Sequence, residues 1–185
     1  TDYYATSGGN YDNSSYSGYM YTKSSQFGHG TSSYAKQTID SWYTSSGLSN
    51  FASSINTDAI YCSDRSTTNG QSWSATGSAF SYDGAYRSGK IYNGSWVDTT
   101  VSPSLKCTNA EDKFSKTTGA GGNGYLGSPI AMMTSDELIF AGVYIWQNSY
   151  AYYYYASDGS SSATGSTYWW TMSPFHWTGS SALDE

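Results

Sequence analysis

Few residues in this sequence are of types that do chemistry. Reactive or ligating groups could gather at Cys62 and Cys107, at His29 and His176, and at the adjacent acids Asp136 and Glu137. Neighbouring carboxylates suit general acid–base work. Here they lie in the stretch Thr134-Ser135-Asp136-Glu137, which reads as a helix start. The Thr134 hydroxyl accepts from the Glu137 amide, and the Glu137 carboxylate returns to the Thr134 amide. Both acids also sit well against the positive end of a helix dipole, so the cap accounts for them without catalysis. Two histidines and a carboxylate can hold iron, but the spacing of His29 and His176 gives that no support. Asp58, Asp64, Asp83, Asp98, Asp112 and Asp158 could offer oxygens to calcium. None belongs to a dense ligand loop, and they are expected to be solvated loop aspartates. No catalytic residue, metal or cofactor is expected. The two cysteines, with no His/Cys cluster beside them, predict one disulfide; two free buried thiols are the alternative.

The elements that position these groups are short. A helix is predicted over 31–45, with Thr31, Ser32 or Ser33 as N-cap. Ala35, Ile39, Trp42 and Tyr43 form its apolar face, and Gly47 is its stop signal. A second helix begins at Thr134, runs through Leu138 to Ala141 and ends at Gly142. Tyr19-Met20-Tyr21 and Ala59-Ile60-Tyr61-Cys62 read as strands, the latter buried. Residues 64–104 are loop-rich, a length usually functional or pinned by cross-links, and a Cys62–Cys107 bridge would pin it. Residues 143–177 alternate aromatic and polar segments and read as two or three antiparallel strands joined by hairpins. Residues 1–18 have no period and are predicted to be irregular, leaving 19–185 as one domain.

Composition narrows the class of job. The 185 residues include only 12% charged residues but 20 Tyr and 7 Trp, so hydroxyls and amides replace charges as the wetted surface. Such surfaces are common on secreted proteins and binding loops, where Tyr gives contact area at low entropy cost. With 8 Lys and Arg and a net charge of -6, neither nucleic acid nor an anionic membrane surface is an expected partner. The sequence has no signal peptide, membrane-spanning run or lipid motif, so an extracellular role implies a mature or trimmed chain. Asn13-Ser14-Ser15 and Asn93-Gly94-Ser95 match glycosylation acceptors, a pattern common by chance in Ser-rich chains.

Five stretches carry a resemblance. They are Ser17 to Tyr21, Thr38 to Tyr43, Ala59 to Arg65, Pro129 to Gly142, and Tyr168-Trp169-Trp170-Thr171-Met172-Ser173-Pro174. In this order they resemble bacterial surface domains, mostly of Firmicutes type, with the formylglycine-generating-enzyme and C-type-lectin-like fold. The resemblance implies an α+β domain with two short helices packed on small twisted antiparallel sheets and long loops. It also implies display outside the cell, often behind an anchor or a pilin-like helix. The enzymatic branches need late cysteines or a histidine-rich site, and this chain departs from both patterns. A final strand usual in the group is expected to be missing after residue 177, which would suit strand exchange between copies.

The resemblance places a ligand surface in the late loops and strands. There Trp146, Tyr150, Tyr152, Tyr153, Tyr154, Tyr155, Tyr168, Trp169 and Trp170 offer rigid amphipathic contacts. Tyr152 to Tyr155 cannot all face inward on a strand, because side chains alternate faces. The function expected is an extracellular, non-catalytic binding or adhesion module for a cell-surface protein or glycan. The alternative is a structural subunit of a filament, pilus or surface layer, with copies of the chain as partners.

Overall fold

A computed structural model describes residues 20–21, 25–68, 71–74, 80–84, 87, 91–92, 95–96, 102–140, 171–174, 176–177 and 183–184. Helix α1, Tyr34–Ser45, starts where the Ser33 side chain accepts from the Lys36 amide and stops at Gly47, whose φ of 78° is left-handed. Glycine tolerates that conformation without steric cost. Ala35, Ile39 and Tyr43 face inward as their spacing predicts, but Trp42 is 54% exposed and Lys36 is buried instead. At about 3.6 residues per turn the buried set centres near Ile39 and leaves Trp42 at its margin. Lys36 can enter because its ammonium pairs with Asp40, which in turn accepts from the Ser128 hydroxyl. A 3-10 helix over Leu48–Ser54 follows α1.

The strands are two-residue pairs, all antiparallel. Strand β1 (Met20–Tyr21) pairs with β2 (Thr31–Ser32), and β3 (Tyr61–Cys62) with β7 (Lys113–Phe114). Strand β5 (Ile91–Tyr92) pairs with β6 (Ser95–Trp96). Strand β8 (His176–Trp177) lies between β4 (Phe80–Ser81) and β9 (Leu183–Asp184). The expected lack of a strand after residue 177 is thereby corrected: β9 completes a three-stranded sheet with β8 and β4. Of the run from 59 to 62 only the last two residues are strand, both half-buried, while Ile60 is 37% exposed. Helix α2 spans Ser135–Phe140. The described chain is thus a small α+β assembly of few helices and small antiparallel sheets. Among the described residues no helix is long and apolar enough to cross a membrane.

The core joins α1 to the later segments. Ile39, Phe114, Leu126, Met132 and Met172 form one buried cluster, with Tyr61, Ile130 and Ala131 packed against it. The segment 171–174 is held to the approach of α2, since the Met172 amide donates to the Met133 carbonyl at 2.9 Å and the Ser135 amide to the Ser173 hydroxyl at 3.0 Å.

Loop 115–127 is shaped by a close approach of backbone. Ser115 is fully buried, and its hydroxyl donates to the Thr117 carbonyl at 2.5 Å and accepts from the Gly124 amide at 3.1 Å. A Cβ at Gly122 would overlap the Ser115 Cβ and Oγ and lie 3.2 Å from the Lys113 carbonyl oxygen. Gly122→Ala is therefore expected to destabilise the fold by about 1–3 kcal/mol, read as a lower urea midpoint. Gly121→Ser adds a side chain to open space but at a φ of 85°, so its smaller cost would come from backbone strain alone.

Candidate functional site

Among the described residues the densest set of links lies where residues 61–65 meet residues 107–114. The β3–β7 pair brings the two segments together, and Cys62 and Cys107 are joined by a disulfide across 45 residues of sequence. The Ser63 amide donates to the Asp112 carbonyl at 3.2 Å. Asp64 then takes a positive φ of 43°, a conformation that Asp and Asn tolerate better than most residues. Beyond this turn, Arg65 folds back on Asp112. The Arg65 amide donates to Asp112 Oδ2 at 2.8 Å, and the guanidinium bonds Asp112 Oδ1 through Nε at 2.7 Å and through Nη2. Both side chains are buried. The same guanidinium reaches the Gly28 carbonyl at 3.0 Å and lies over the Phe114 ring. Asp112 is held above the usual carboxylate range by burial, against the pull of Arg65.

A second arginine ties α2 to this base. Arg87 bonds both oxygens of Asp136 at 2.6–3.3 Å and also Asp64, and lies 3.8 Å from Asp83. Three carboxylates share one cation here. Burial disfavours the charge on Arg87, but the hydrogen bonds it donates to Asp136 and Asp64 outweigh this and raise its pKa. The carboxylates feel the opposite imbalance: burial raises Asp136 and Asp83, Arg87 pulls both down, and neighbouring acids push them up again.

Asp83 gives a direct test of this imbalance. Its folded pKa lies above its unfolded value, so the folded chain holds this proton at a pH where the unfolded chain has lost it. That contribution is complete below the unfolded pKa of about 4 and is lost as pH rises through the folded value. Asp83→Asn, which cannot ionise, is therefore expected to raise the urea midpoint at pH 7, and the gain should vanish at about pH 3.5. A loss of stability at pH 7 would mean that the Arg87 contact outweighs burial.

A cleft of about 680 Å3 opens beside the disulfide. Its lining includes Asp64, Asp136 and Glu137, the 104–108 loop with Lys106, and Lys113 of β7. The three acids are already engaged. Asp64 and Asp136 bind Arg87, and the Ser104 backbone also bonds Asp136. Glu137 Oε2 takes the Thr134 amide at 2.7 Å while Thr134 Oγ1 accepts from the Glu137 amide at 3.1 Å. The side-chain amines of Lys106 and Lys113 make no hydrogen bond or ion pair among the described residues. Ile60 and Leu105 supply the apolar wall, Leu105 being 67% exposed. Burial first, then the negative charge of Glu137, raises the pKa of the Tyr61 phenol, whose hydroxyl donates to the Pro129 carbonyl at 3.1 Å.

The structure separates the residues singled out from sequence into three groups. Cys62 and Cys107 are bonded, and Thr134 and Glu137 exchange their two cap hydrogen bonds. Trp146, Tyr150, Tyr152, Tyr153, Tyr154, Tyr155, Tyr168, Trp169 and Trp170 lie outside the described residues, as do residues 1–18, Asp98 and Asp158. The loop aspartates require correction, because Asp64 and Asp112 are not solvated but buried in ion pairs. Asp136 likewise is held by Arg87 rather than serving the cap alone. His29 stacks on Tyr125 with ring centroids 3.2 Å apart, its Nδ1 4.0 Å from Glu111. Among the described residues no group of three or more His, Cys, Asp or Glu side chains is placed to hold a metal. Arg65, Arg87, Lys106 and Lys113 were missed as site-forming residues. The available signal was their rarity, since each basic side chain in so weakly charged a chain is costly to leave without a use. Comparison with protein-family models, with characterised proteins and with solved structures gives no match to the chain.

Proposed function

We propose that the chain is an extracellular, surface-displayed, non-catalytic binding and adhesion module of the C-type-lectin-like kind. Its partner is a cell-surface protein or glycan, engaged through the Tyr/Trp-rich segment 146–170. The observation that carries this reading is where the strongest links sit. The disulfide and the two arginine hubs tie loop bases to one another, while the strands they connect are only two residues long. A frame of that kind suits the presentation of loops, and a disulfide is compatible with an extracellular setting.

The test is a protein and glycan ligand array probed with the purified chain and two double variants. Side chains alternate faces along a strand, so Tyr152→Ser with Tyr154→Ser and Tyr153→Ser with Tyr155→Ser should differ. One pair is expected to abolish binding while leaving the unfolding midpoint unchanged, and the other to lower the midpoint. Binding by neither wild type nor variants would remove the reading.

A second reading, a subunit of a filament, pilus or surface layer, is supported by the exposed aromatics of α1 and of the 3-10 helix that follows it. Tyr34, Trp42 and Phe51 are 45–63% exposed. The only charges between residues 34 and 54 are Lys36 and Asp40, which pair with each other. Copies of a chain with net charge -6 meet most readily on an uncharged face. Light scattering with negative-stain microscopy across a dilution series decides between the readings. Polymers favour the subunit, and a monomer at every concentration excludes self-assembly by this chain.

A further inference from the structure

Residues 102–108 have no regular structure, and Ser104 to Thr108 line the cleft beside the disulfide. Ser102, Leu105, Lys106 and Thr108 are exposed. Among the described residues two bonds tie this stretch to residues distant in sequence. One is the disulfide from Cys107 to Cys62, and the other is the hydrogen bond from the Ser104 backbone to Asp136. The bond from the Lys106 amide to the Ser104 hydroxyl at 3.1 Å lies within the stretch itself.

The residues that follow are held differently. The Asp112 carbonyl accepts from the Ser63 amide at 3.2 Å, the Asp112 carboxylate is buried against Arg65, and β7 pairs with β3. Phe114 is fully buried in the core, and the Lys113 carbonyl accepts from the Asn123 amide at 2.7 Å. None of these contacts passes through the disulfide. The bond therefore acts in two separate ways. In the unfolded chain it constrains a loop, so its loss lowers the melting temperature. In the folded chain it fastens 102–108, because a single hydrogen bond offsets the ordering of about one residue and not of a whole strap.

We infer that the Cys62–Cys107 bond is a redox-sensitive latch: a dithiol reductant opens it and frees the 102–108 strap from the cleft, while the junction of 61–65 with 109–114 stays folded. Both cysteines are half-buried and line the cleft, whose volume of about 680 Å3 admits a small dithiol. One thiolate of the reductant attacks a cysteine sulfur, and the other cysteine leaves as a thiolate. The reductant's second thiolate then displaces the bound cysteine and closes the reductant's own disulfide. The two cysteines gain two electrons and two protons, all from the dithiol. In an oxidising medium the strap is fixed against the cleft, and in a reducing one it swings free. This inference goes beyond the binding-module reading and does not depend on it.

The experiment is amide relaxation by NMR on the whole chain, oxidised and after dithiothreitol treatment without denaturant. Cys62→Ser combined with Cys107→Ser serves as a permanently open form. Reduction is expected to reach completion without denaturant. The order parameters of residues 104–108 are expected to fall from about 0.85 to below about 0.6, in the reduced chain and the double variant alike. The amides of Ser63, Arg65 and Leu126, which donate to Asp112 and Ser115, are expected to stay ordered and slow to exchange. Should the double variant fail to fold, the reduced chain still carries the test. Loss of the native spectrum on reduction overturns the proposal, because the bond then holds the whole fold and not the strap. Unchanged order at 104–108 overturns it as well, because other contacts then fix the strap. A bond that yields to dithiothreitol only in urea shows that the cleft gives no access, and sinks the latch. None of these results bears on the ligand array, whose failure would in turn leave the latch standing.

Discussion

Asp112→Ala is expected to lower the stability of the fold by about 3–5 kcal/mol, because it strands Arg65 as an unpaired charge in the interior. The side chains of Arg65 and Asp112 are 8% and 1% exposed, so water cannot replace the lost carboxylate. Asp112 also accepts the Arg65 amide, and an unsatisfied buried amide adds to the cost. The pair as a unit contributes far less than this, since removing two charges from water offsets most of their attraction. The two statements separate experimentally. Arg65→Met combined with Asp112→Asn keeps an acceptor for the amide at position 65 and leaves no charge behind. Urea unfolding should show the double variant recovering most of the stability lost in Asp112→Ala. Equal losses in the two would mean that the ion pair itself, and not the stranded charge, supplies the stability.

Opening the disulfide comes next in size. Replacing Cys62 and Cys107 by Ser releases a loop across 45 residues of sequence, worth about 4 kcal/mol in the chain-entropy model. For a chain of this length that is a fall in melting temperature of roughly 10 °C, measurable by circular dichroism with and without reductant. Both cysteines also line the cleft, as do Ile60 and Leu105. A melting temperature unchanged by reductant would show that the β3–β7 pair and the Arg65–Asp112 link already close this loop without the covalent bond.

What could be read in advance follows the distance over which each interaction acts. The α2 cap is encoded in four consecutive residues, and α1 in a serine cap, an apolar repeat and a glycine stop. The Ser/Gly-rich surroundings of Trp42 do not show that Lys36, six residues earlier, takes its place inside. That exchange depends on Asp40 and on Ser128, which is 88 residues away from it. The arginine hubs are hidden for the same reason, since their partners lie 47 and 49 residues apart. No period or motif connects Arg65 to Asp112 or Arg87 to Asp136. The β5–β6 pair had a local signal, Asn93-Gly94 between its strands, a dipeptide that favours tight hairpins. It was masked by a stretch that reads as loop throughout. β9 was missed because Leu183–Asp184 is too short and too near the end of the sequence to show alternation.

The junction of residues 61–65 with residues 107–114 has a consequence for how such a chain can change over generations. The stretch between them is closed at its base by a covalent bond, a strand pair and a buried charge pair, and is anchored again where β4 pairs with β8 and Arg87 binds Asp136. Residues inserted between these anchors need not move that junction, and doubling the length of a connecting segment adds only about 0.6 kcal/mol of closure entropy. Variation in length and sequence can therefore accumulate there at little cost to folding. The same property makes the segments between these anchors places to graft a foreign peptide, provided that Phe80 to Gly84 and Arg87 are left in position.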